Sequence, residues 1–247
     1  MRIDTGIKGL EKLVKIPENY ILLAGGTPGT GKTAFALDYL FEGIENGEKG
    51  LYVSLIDSEQ EVKNAAELRG YDSESENFKV QEATDLMRAG TSGQVFEPEK
   101  VIDGLRRNLN EFEPDRIVFD TITKFLMIFD AEPVQRENVS KLVDRIKDKD
   151  SSAILLGEVP FSKKGQPSRY EIAEFVIDGI LHFQQKEDDI VFNILKMKGL
   201  EYDGKQHCLK ITDNEVRIGE LYNPQVLDRL DEGSGDDSED SEEVELN

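Results

Sequence analysis

The chain has 247 residues, enough for one large α/β domain or two small ones, and 38% hydrophobic residues can supply a core. It carries 51 acidic and 30 basic residues, so its net charge of −21 argues against nucleic acid backbones and anionic membrane surfaces as partners. The single cysteine, Cys208, excludes an internal disulfide framework and a cysteine-based zinc site, and we interpret it as a buried thiol.

No segment of the sequence has the length and apolarity of a transmembrane helix. Residues 1–13, MRIDTGIKGLEKL, also lack the apolar centre of a signal peptide. We therefore expect a soluble, cytoplasmic protein.

The acidic charge is concentrated at the C-terminus but is not confined to it. Residues 231–247 contain nine acidic residues and no basic ones, whereas the preceding 230 residues contain 42 acidic and 30 basic residues. We expect a single domain over 1–230, followed by a disordered acidic tail over 231–247. The tail either binds a basic partner or keeps the protein soluble. Adaptation to a high-salt cytoplasm would explain the acidic surface. The chain has 19 Lys and 11 Arg, however, and salt-adapted surfaces usually contain few lysines.

The first 160 residues alternate strand-like and helix-like segments. Short apolar runs predict strands over 20–24, 51–55, 78–81, 116–120 and 153–159. Helices are predicted over 32–46 and 58–69, the second with a capping box of Ser58 and Glu61, and others begin at Pro98 and Pro133. This alternation predicts an α/β fold with a mostly parallel sheet flanked by helices.

Beyond residue 175 the pattern becomes rich in strands. We predict strands over 176–184, 190–198, 206–211 and 216–218, with turns between them, as antiparallel hairpins that extend the sheet. Ligands bind such sheets at the carboxyl ends of the parallel strands. Residues 26–33, Asp57 and Asp120 all fall there.

Residues 21–33, ILLAGGTPGTGKT, contain the P-loop pattern G-x-x-x-x-G-K-[ST] between a strand and a helix. The pattern residues are Gly26, Gly31, Lys32 and Thr33; the loop also contains Thr27, Pro28, Gly29 and Thr30, and Ala34 follows it. Glycines allow backbone N–H groups to surround an anion, and the helix directs its positive pole at the phosphates. We expect Lys32 to reach the β- and γ-phosphates of ATP and Thr33 to offer its hydroxyl to Mg²⁺.

An acidic residue that holds Mg²⁺ is also required, and Asp120 at the end of the apolar run RIVFD is the candidate. Thr121 and Thr123 follow it. They either cap the next helix or sense the γ-phosphate.

Several motifs together resemble the KaiC-like branch of the RecA/RadA superfamily of ATPases over about residues 3–218. They are Thr5-Gly6-Ile7-x-Gly9-Leu10, the P-loop, Tyr52-Val53-Ser54-Leu55, VFDTIT and Lys196-Met197-Lys198-Gly199. The resemblance implies a RecA-like core with ATP bound between subunits, usually in a hexameric ring. It also implies that Lys196 and Lys198 reach the ATP of the neighbouring subunit. Without the resemblance, we would interpret both lysines as residues of a solvated strand edge.

The chain departs from this family in two places. Family members usually carry two adjacent glutamates after the second strand, and Ile56 and Asp57 stand there instead. We expect Asp57 to act as the catalytic base, with Glu59 nearby, and hydrolysis to be slow. Glu174 and Phe175 stand where the clock proteins of this family carry a phosphorylated Ser-Thr pair, so we do not expect autophosphorylation.

The sequence leaves several functions open. An ATPase that couples nucleotide occupancy to assembly or to binding of an unidentified protein partner is the first, and a nucleotide-sensing scaffold without hydrolysis is the second. A RadA-like DNA recombination ATPase would use Lys163, Lys164 and Arg169, but the net charge opposes DNA binding. A small-molecule kinase is a weaker alternative, since an arginine-rich lid is not evident. His182 and His207 lie in strand-like segments without metal-ligand spacing.

Overall fold

The computed structural model describes residues 2–83, 98–129, 131–158 and 175–223. The predicted tail over 231–247, the basic residues Lys163, Lys164 and Arg169, and Glu174 lie outside the described residues. Within the described ranges, no helix has the length and hydropathy needed to cross a membrane.

Helices and strands alternate through the first two thirds of the chain. The helices are α1 (Leu10–Leu13), α2 (Lys32–Glu45), α3 (Glu59–Leu68), α4 (Pro98–Glu111), α5 (Ile122–Leu126) and α6 (Glu132–Lys147). The strands are β1 (Ile21–Gly26), β2 (Gly50–Ser54), β3 (Phe78–Glu82), β4 (Arg116–Asp120), β5 (Ser152–Glu158), β6 (Gly179–Lys186), β7 (Asp189–Met197), β8 (His207–Ile211) and β9 (Val216–Leu221).

The described strands form one sheet in the order β3-β2-β4-β5-β1-β6-β7-β8-β9. The pairs from β3 to β6 are parallel, and β6 to β9 pair antiparallel. The predicted fold class is therefore confirmed: a mostly parallel sheet with helices and C-terminal antiparallel hairpins.

Two strand bounds differ from the prediction by three residues: β9 ends at Leu221 rather than at residue 218, and β6 begins at Gly179 rather than at residue 176. Asp178 explains the later start, because its side-chain carboxylate, rather than a strand carbonyl, accepts the backbone N–H of Ile21 at 3.1 Å. The same carboxyl group accepts a hydrogen bond from Lys147 Nζ at 2.9 Å.

Local signals fix several helix starts as predicted. Ser58 and Glu61 form a complete capping box at the start of α3. Thr121 caps α5 by accepting hydrogen bonds from the N–H groups of Thr123 and Lys124, which agrees with the capping role considered for it. Helix α6 begins one residue before Pro133.

Two hydrophobic clusters cover the two faces of the sheet. Helix α2 packs on one face against alternate strand residues such as Tyr52, Val118 and Leu156. Helices α4 to α6 pack on the other face against their sequence neighbours, including Val53, Phe119 and Leu155. Strand side chains alternate between faces, so these parallel strands are apolar on both sides.

The hairpin of β8 and β9 is fastened to α2 through the buried carboxylate of Asp38. This carboxylate accepts hydrogen bonds from Arg69 Nε at 2.8 Å, Tyr71 Oη at 2.9 Å and the backbone N–H of Val216 at 2.7 Å. Cys208 in β8 is only half-buried, so the prediction of a buried thiol is wrong. It lies near the outer end of the sheet, where fewer elements cover a strand than in the centre.

Candidate active site

A cavity of about 420 Å³ opens at the carboxyl edge of the parallel strands. It brings together the end of β1, the start of α2 and the residues that follow β2, β4 and β5. Its lining comprises Pro28, Gly29, Gly31, Lys32, Thr33, Ile56, Asp57, Asp120, Thr121, Leu156, Gly157 and Glu158. A larger cleft of about 800 Å³ lies along residues 2–16 and includes no P-loop residue.

The loop between β1 and α2 has the backbone that the P-loop pattern requires. Gly29 and Gly31 have φ values of +81° and +78°, in the left-handed region that favours glycine. A Cβ at Gly26 would collide with the backbone carbonyl of Phe183, and one at Gly31 with the side chain of Ile211. The threonine within the loop, Thr30, donates its hydroxyl to the carbonyl of Thr27 at 2.8 Å.

Lys32 lies against the loop at the first turn of α2. Its Nζ donates to the carbonyl oxygens of Gly26 at 3.0 Å and Thr27 at 2.7 Å. Burial lowers the pKa of this ammonium group, and the nearby carboxylates of Glu158 and Asp120 oppose that shift. The site therefore holds a partly desolvated cation beside the positive pole of a helix, an arrangement suited to an anion.

Asp120 ends β4 and is buried on the face of the sheet that carries α2. Its Oδ2 accepts a hydrogen bond from Tyr52 Oη at 2.5 Å. Burial raises the pKa of Asp120 to about 6; the bond from Tyr52 lowers this value, and the neighbouring charge of Asp57 raises it.

Asp120 and Thr33 line the same cavity and fit the needs of Mg²⁺. This ion binds through one or two protein oxygens and completes its shell with water and phosphate oxygens. Among the described residues, no group of three or more His, Cys, Asp or Glu is arranged to hold a metal without such help. His182 and His207 lie in β6 and β8, as their strand-like surroundings predicted.

Ile56 and Asp57 enter the cavity from the turn after β2. Ser54 holds this turn, since its hydroxyl accepts the backbone N–H of Asp57 at 2.9 Å. Burial and, to a smaller extent, the charge of Glu61 raise the pKa of Asp57. Ile56 is 41% exposed and is not a core residue. Glu59 does not line the cavity; it lies in the first turn of α3 beside Lys63.

The structure does not bring Lys196 and Lys198 to the cavity of their own chain. Lys196 pairs with Ile180, which is level with Leu23 in the middle of β1. Its Nζ donates to the carbonyl of Ile177 at 3.0 Å. Lys198 lies just beyond β7 on the far side from the P-loop, where its carbonyl accepts the hydroxyl of Tyr20 at 2.7 Å.

Two residues near the cavity could not be identified from motifs. Tyr52 lies in a strand motif, and nothing local in the sequence connects it to Asp120. Glu158 lies in a predicted apolar strand, although it is a charged residue at the carboxyl end of a parallel strand. The rule that places ligands at those ends could have singled it out.

Comparison with known proteins identifies the family of this chain. A family model described as "ATPase: KaiC" matches residues 3–223. The chain belongs to the KaiC family of ATPases. This assignment confirms the resemblance that rested on the P-loop, the TGI-x-GL segment and the KMKG segment.

Similar proteins span most of the chain. A UPF0273 protein of Methanopyrus kandleri is 28% identical over 240 residues, which cover 88% of this chain and 91% of that protein. A UPF0273 protein of Thermotoga maritima is 26% identical over 235 residues, with 88% and 95% covered. The circadian clock oscillator protein KaiC of Synechococcus elongatus is 25% identical over 229 residues, but the match covers 44% of that longer protein.

Among solved structures, a KaiC-like protein of Pyrococcus horikoshii superposes with a TM-score of 0.75. The match covers 89% of this chain and 99% of that one, at 24% identity. The two chains therefore share a fold, which agrees with the mostly parallel sheet and antiparallel hairpins predicted from the sequence.

Proposed function

We propose that this KaiC-family chain is a Mg²⁺-dependent ATPase that binds ATP between subunits and hydrolyses it slowly. The observation that carries the proposal is the grouping of Lys32, Thr33 and Asp120 around one cavity at the end of the P-loop strand. The P-loop supplies nucleotide binding, and the other residues around the cavity determine how fast the bound ATP is hydrolysed.

Each residue of the site has a role that its position supports. The backbone N–H groups of loop residues 29–34 would surround the phosphates, and Lys32 would neutralise the β- and γ-phosphates. Thr33 and Asp120 would hold Mg²⁺, which supplies charge neutralisation along the phosphates. Asp57 would help to activate water, although it is shorter than a glutamate and Ile56 replaces a first carboxylate.

The proposed binding between subunits is supported by the position of Lys196 and Lys198. Both lie away from the cavity of their own chain, so only a second copy could bring them to a phosphate. We propose a homo-oligomer, such as a hexamer, in which ATP occupancy controls assembly or the binding of a protein partner. A cytoplasmic location fits a function that depends on ATP.

This proposal predicts assembly that depends on ATP and on two separate sets of lysines. We expect the chain to bind ATP with Mg²⁺ and to grow in mass in light scattering when ATP is added. Lys32→Ala should lower ATP affinity by about tenfold to a hundredfold at any protein concentration, because it removes a charge-assisted hydrogen bond. Lys196→Ala combined with Lys198→Ala should lower it only at concentrations where the chain assembles.

Glu137→Ala, an exposed change on α6, is the matched control and should behave as the unchanged chain. Absence of ATP binding would contradict the proposed function altogether. Equal loss of affinity for the double lysine variant at all concentrations would contradict binding between subunits.

Ile56 favours a second candidate, a nucleotide-sensing scaffold with negligible hydrolysis, because an exposed aliphatic side chain in the cavity cannot activate water. ATP-dependent assembly without phosphate release would support it. A RadA-like function in DNA recombination has no comparable support, and the absence of a gel shift at low salt with ATP would exclude it.

A further inference from the structure

We propose that Glu158, at the end of β5, is the carboxylate that orients the attacking water and accepts its proton. This inference rests on the proposed function and adds a catalytic residue to the site. It concerns the same cavity and assigns to Glu158 the role that Ile56 cannot take.

The sheet places Glu158 between the two strands that build the site. Strand β5 lies between β4 and β1, and Glu158 pairs in register with Gly26, the first glycine of the P-loop. Leu156, two residues earlier, pairs with Asp120. Because strand side chains alternate, Glu158 shares the face of Leu156, which is the face covered by α2.

The backbone N–H and carbonyl groups of Glu158 are both held by hydrogen bonds to Thr123. Its N–H donates to Thr123 Oγ1 at 2.8 Å, and its carbonyl oxygen accepts a hydrogen bond from the same hydroxyl at 3.2 Å. Thr123 belongs to the first turn of α5, which Thr121 caps directly after Asp120. Glu158 is therefore held at a set position relative to the proposed metal ligand.

The Glu158 side chain is placed where it can reach the contents of the cavity. It is exposed and lines the cavity with Lys32, Thr33 and Asp57. Within the described part of the chain, the carboxylate makes no hydrogen bond or ion pair. It is close to Lys32, since its charge opposes the loss of that ammonium's proton more strongly than the charge of Asp120 does.

The step balances without a further reactant. The water oxygen forms a bond to the γ-phosphorus as the bond from that phosphorus to the β–γ bridging oxygen breaks, and ADP leaves with that electron pair. The water transfers one proton to Glu158, which then passes it to the released phosphate or to solvent. An oriented carboxylate base contributes about 10² to 10⁴ in rate.

A comparison of Glu158→Gln with Asp57→Asn tests this inference. We expect Glu158→Gln to lower phosphate release by at least about 10²-fold, and Asp57→Asn to lower it by less than about tenfold. Glu137→Gln makes the same chemical change on the exposed side of α6 and should leave the rate unchanged.

Equilibrium binding gives a second readout that does not depend on turnover. Removing a negative charge beside the γ-phosphate should tighten ATP binding severalfold while ADP affinity stays within about twofold. A Glu158→Gln variant whose rate or whose ATP-to-ADP affinity ratio equals that of Glu137→Gln would overturn the inference.

Failure of the inference is distinguishable from failure of the proposed function. Binding of ATP with phosphate release that Glu158→Gln leaves unchanged overturns only the role of Glu158. ATP binding without any phosphate release by the unchanged chain also overturns that role and supports the scaffold. Absence of nucleotide binding overturns the proposed function itself.

Discussion

Two opposing effects act on the charge of the Asp120 carboxyl group. Its proposed role requires a charged carboxylate, whereas burial under α2 favours the neutral acid and raises its pKa to about 6. Tyr52 relieves part of this conflict, because the hydrogen bond from its hydroxyl stabilises the charged form. The site is therefore sensitive to protons within the range that cells experience.

We predict that Mg²⁺-dependent ATP binding strengthens as pH rises through about 6. Below that pH Asp120 is protonated and cannot bind the cation, so affinity should fall by up to about tenfold per pH unit. Affinity for MgATP measured between pH 5 and 8 would show this midpoint, and Tyr52→Phe should move it upward. Affinity that does not change between pH 5 and 8 would contradict the prediction.

The same shift has the opposite sign for stability without ligand. The folded chain holds the Asp120 proton more tightly than the unfolded chain does, since the folded pKa is the higher of the two. The contribution of this residue to the free energy of unfolding is therefore present below about pH 4 and falls as pH rises to about 6.

At the scale of elements, the C-terminal hairpin supports the P-loop helix from its far side. Asp38 of α2 joins the backbone of β9 to Arg69 and Tyr71 beyond α3. Ile211 at the end of β8 packs against Gly31, directly before α2. The start and the middle of α2 are thus both held by residues from the last quarter of the described chain.

We predict that Asp38→Ala lowers the free energy of unfolding by about 3–5 kcal/mol. The change leaves the buried guanidinium of Arg69 and the N–H of Val216 without their partner. Denaturant unfolding would measure the loss. Glu137→Ala breaks an exposed ion pair with Lys141 and should change stability by less than about 1 kcal/mol. Equal effects of the two variants would contradict the prediction.

The elements that could be predicted from the sequence are those with local signals. Apolar runs predicted β1, β2, β4 and β5, and the capping box of Ser58 and Glu61 predicted the start of α3, whereas capping by Thr121 was one of two alternatives. The P-loop was evident because its residues are adjacent in sequence. Contacts between distant residues, such as Tyr52 with Asp120 or Asp38 with Val216, could not be predicted, because neither partner carries a local sign of the other.

Across the whole molecule, the net charge of −21 is the dominant physical property. Like charges on a folded chain repel one another, and salt reduces that repulsion. Residues 231–247 carry nine of the negatively charged residues. We propose that they do not form part of the folded domain.

We predict that a chain ending at residue 230 unfolds at a temperature within a few degrees of the full chain and binds ATP equally well. Since we propose that the tail does not pack on the domain, its removal deletes charge without deleting contacts. Thermal unfolding of both chains across a salt series would measure this. Substantial destabilisation, or lost ATP affinity, would place residues 231–247 within the working domain.

The sheet order also determines when the protein can fold during its own synthesis. Strand β1 emerges first, yet its two partners, β5 and β6, begin at residues 152 and 179. At roughly 5–20 residues per second, the ribosome needs about 6–25 seconds to make the first of them. For that time the apolar strand β1 has no strand neighbour. The nascent chain therefore gives β1 its first neighbour after nearly two thirds of its length has been made, and its second, β6, after about three quarters.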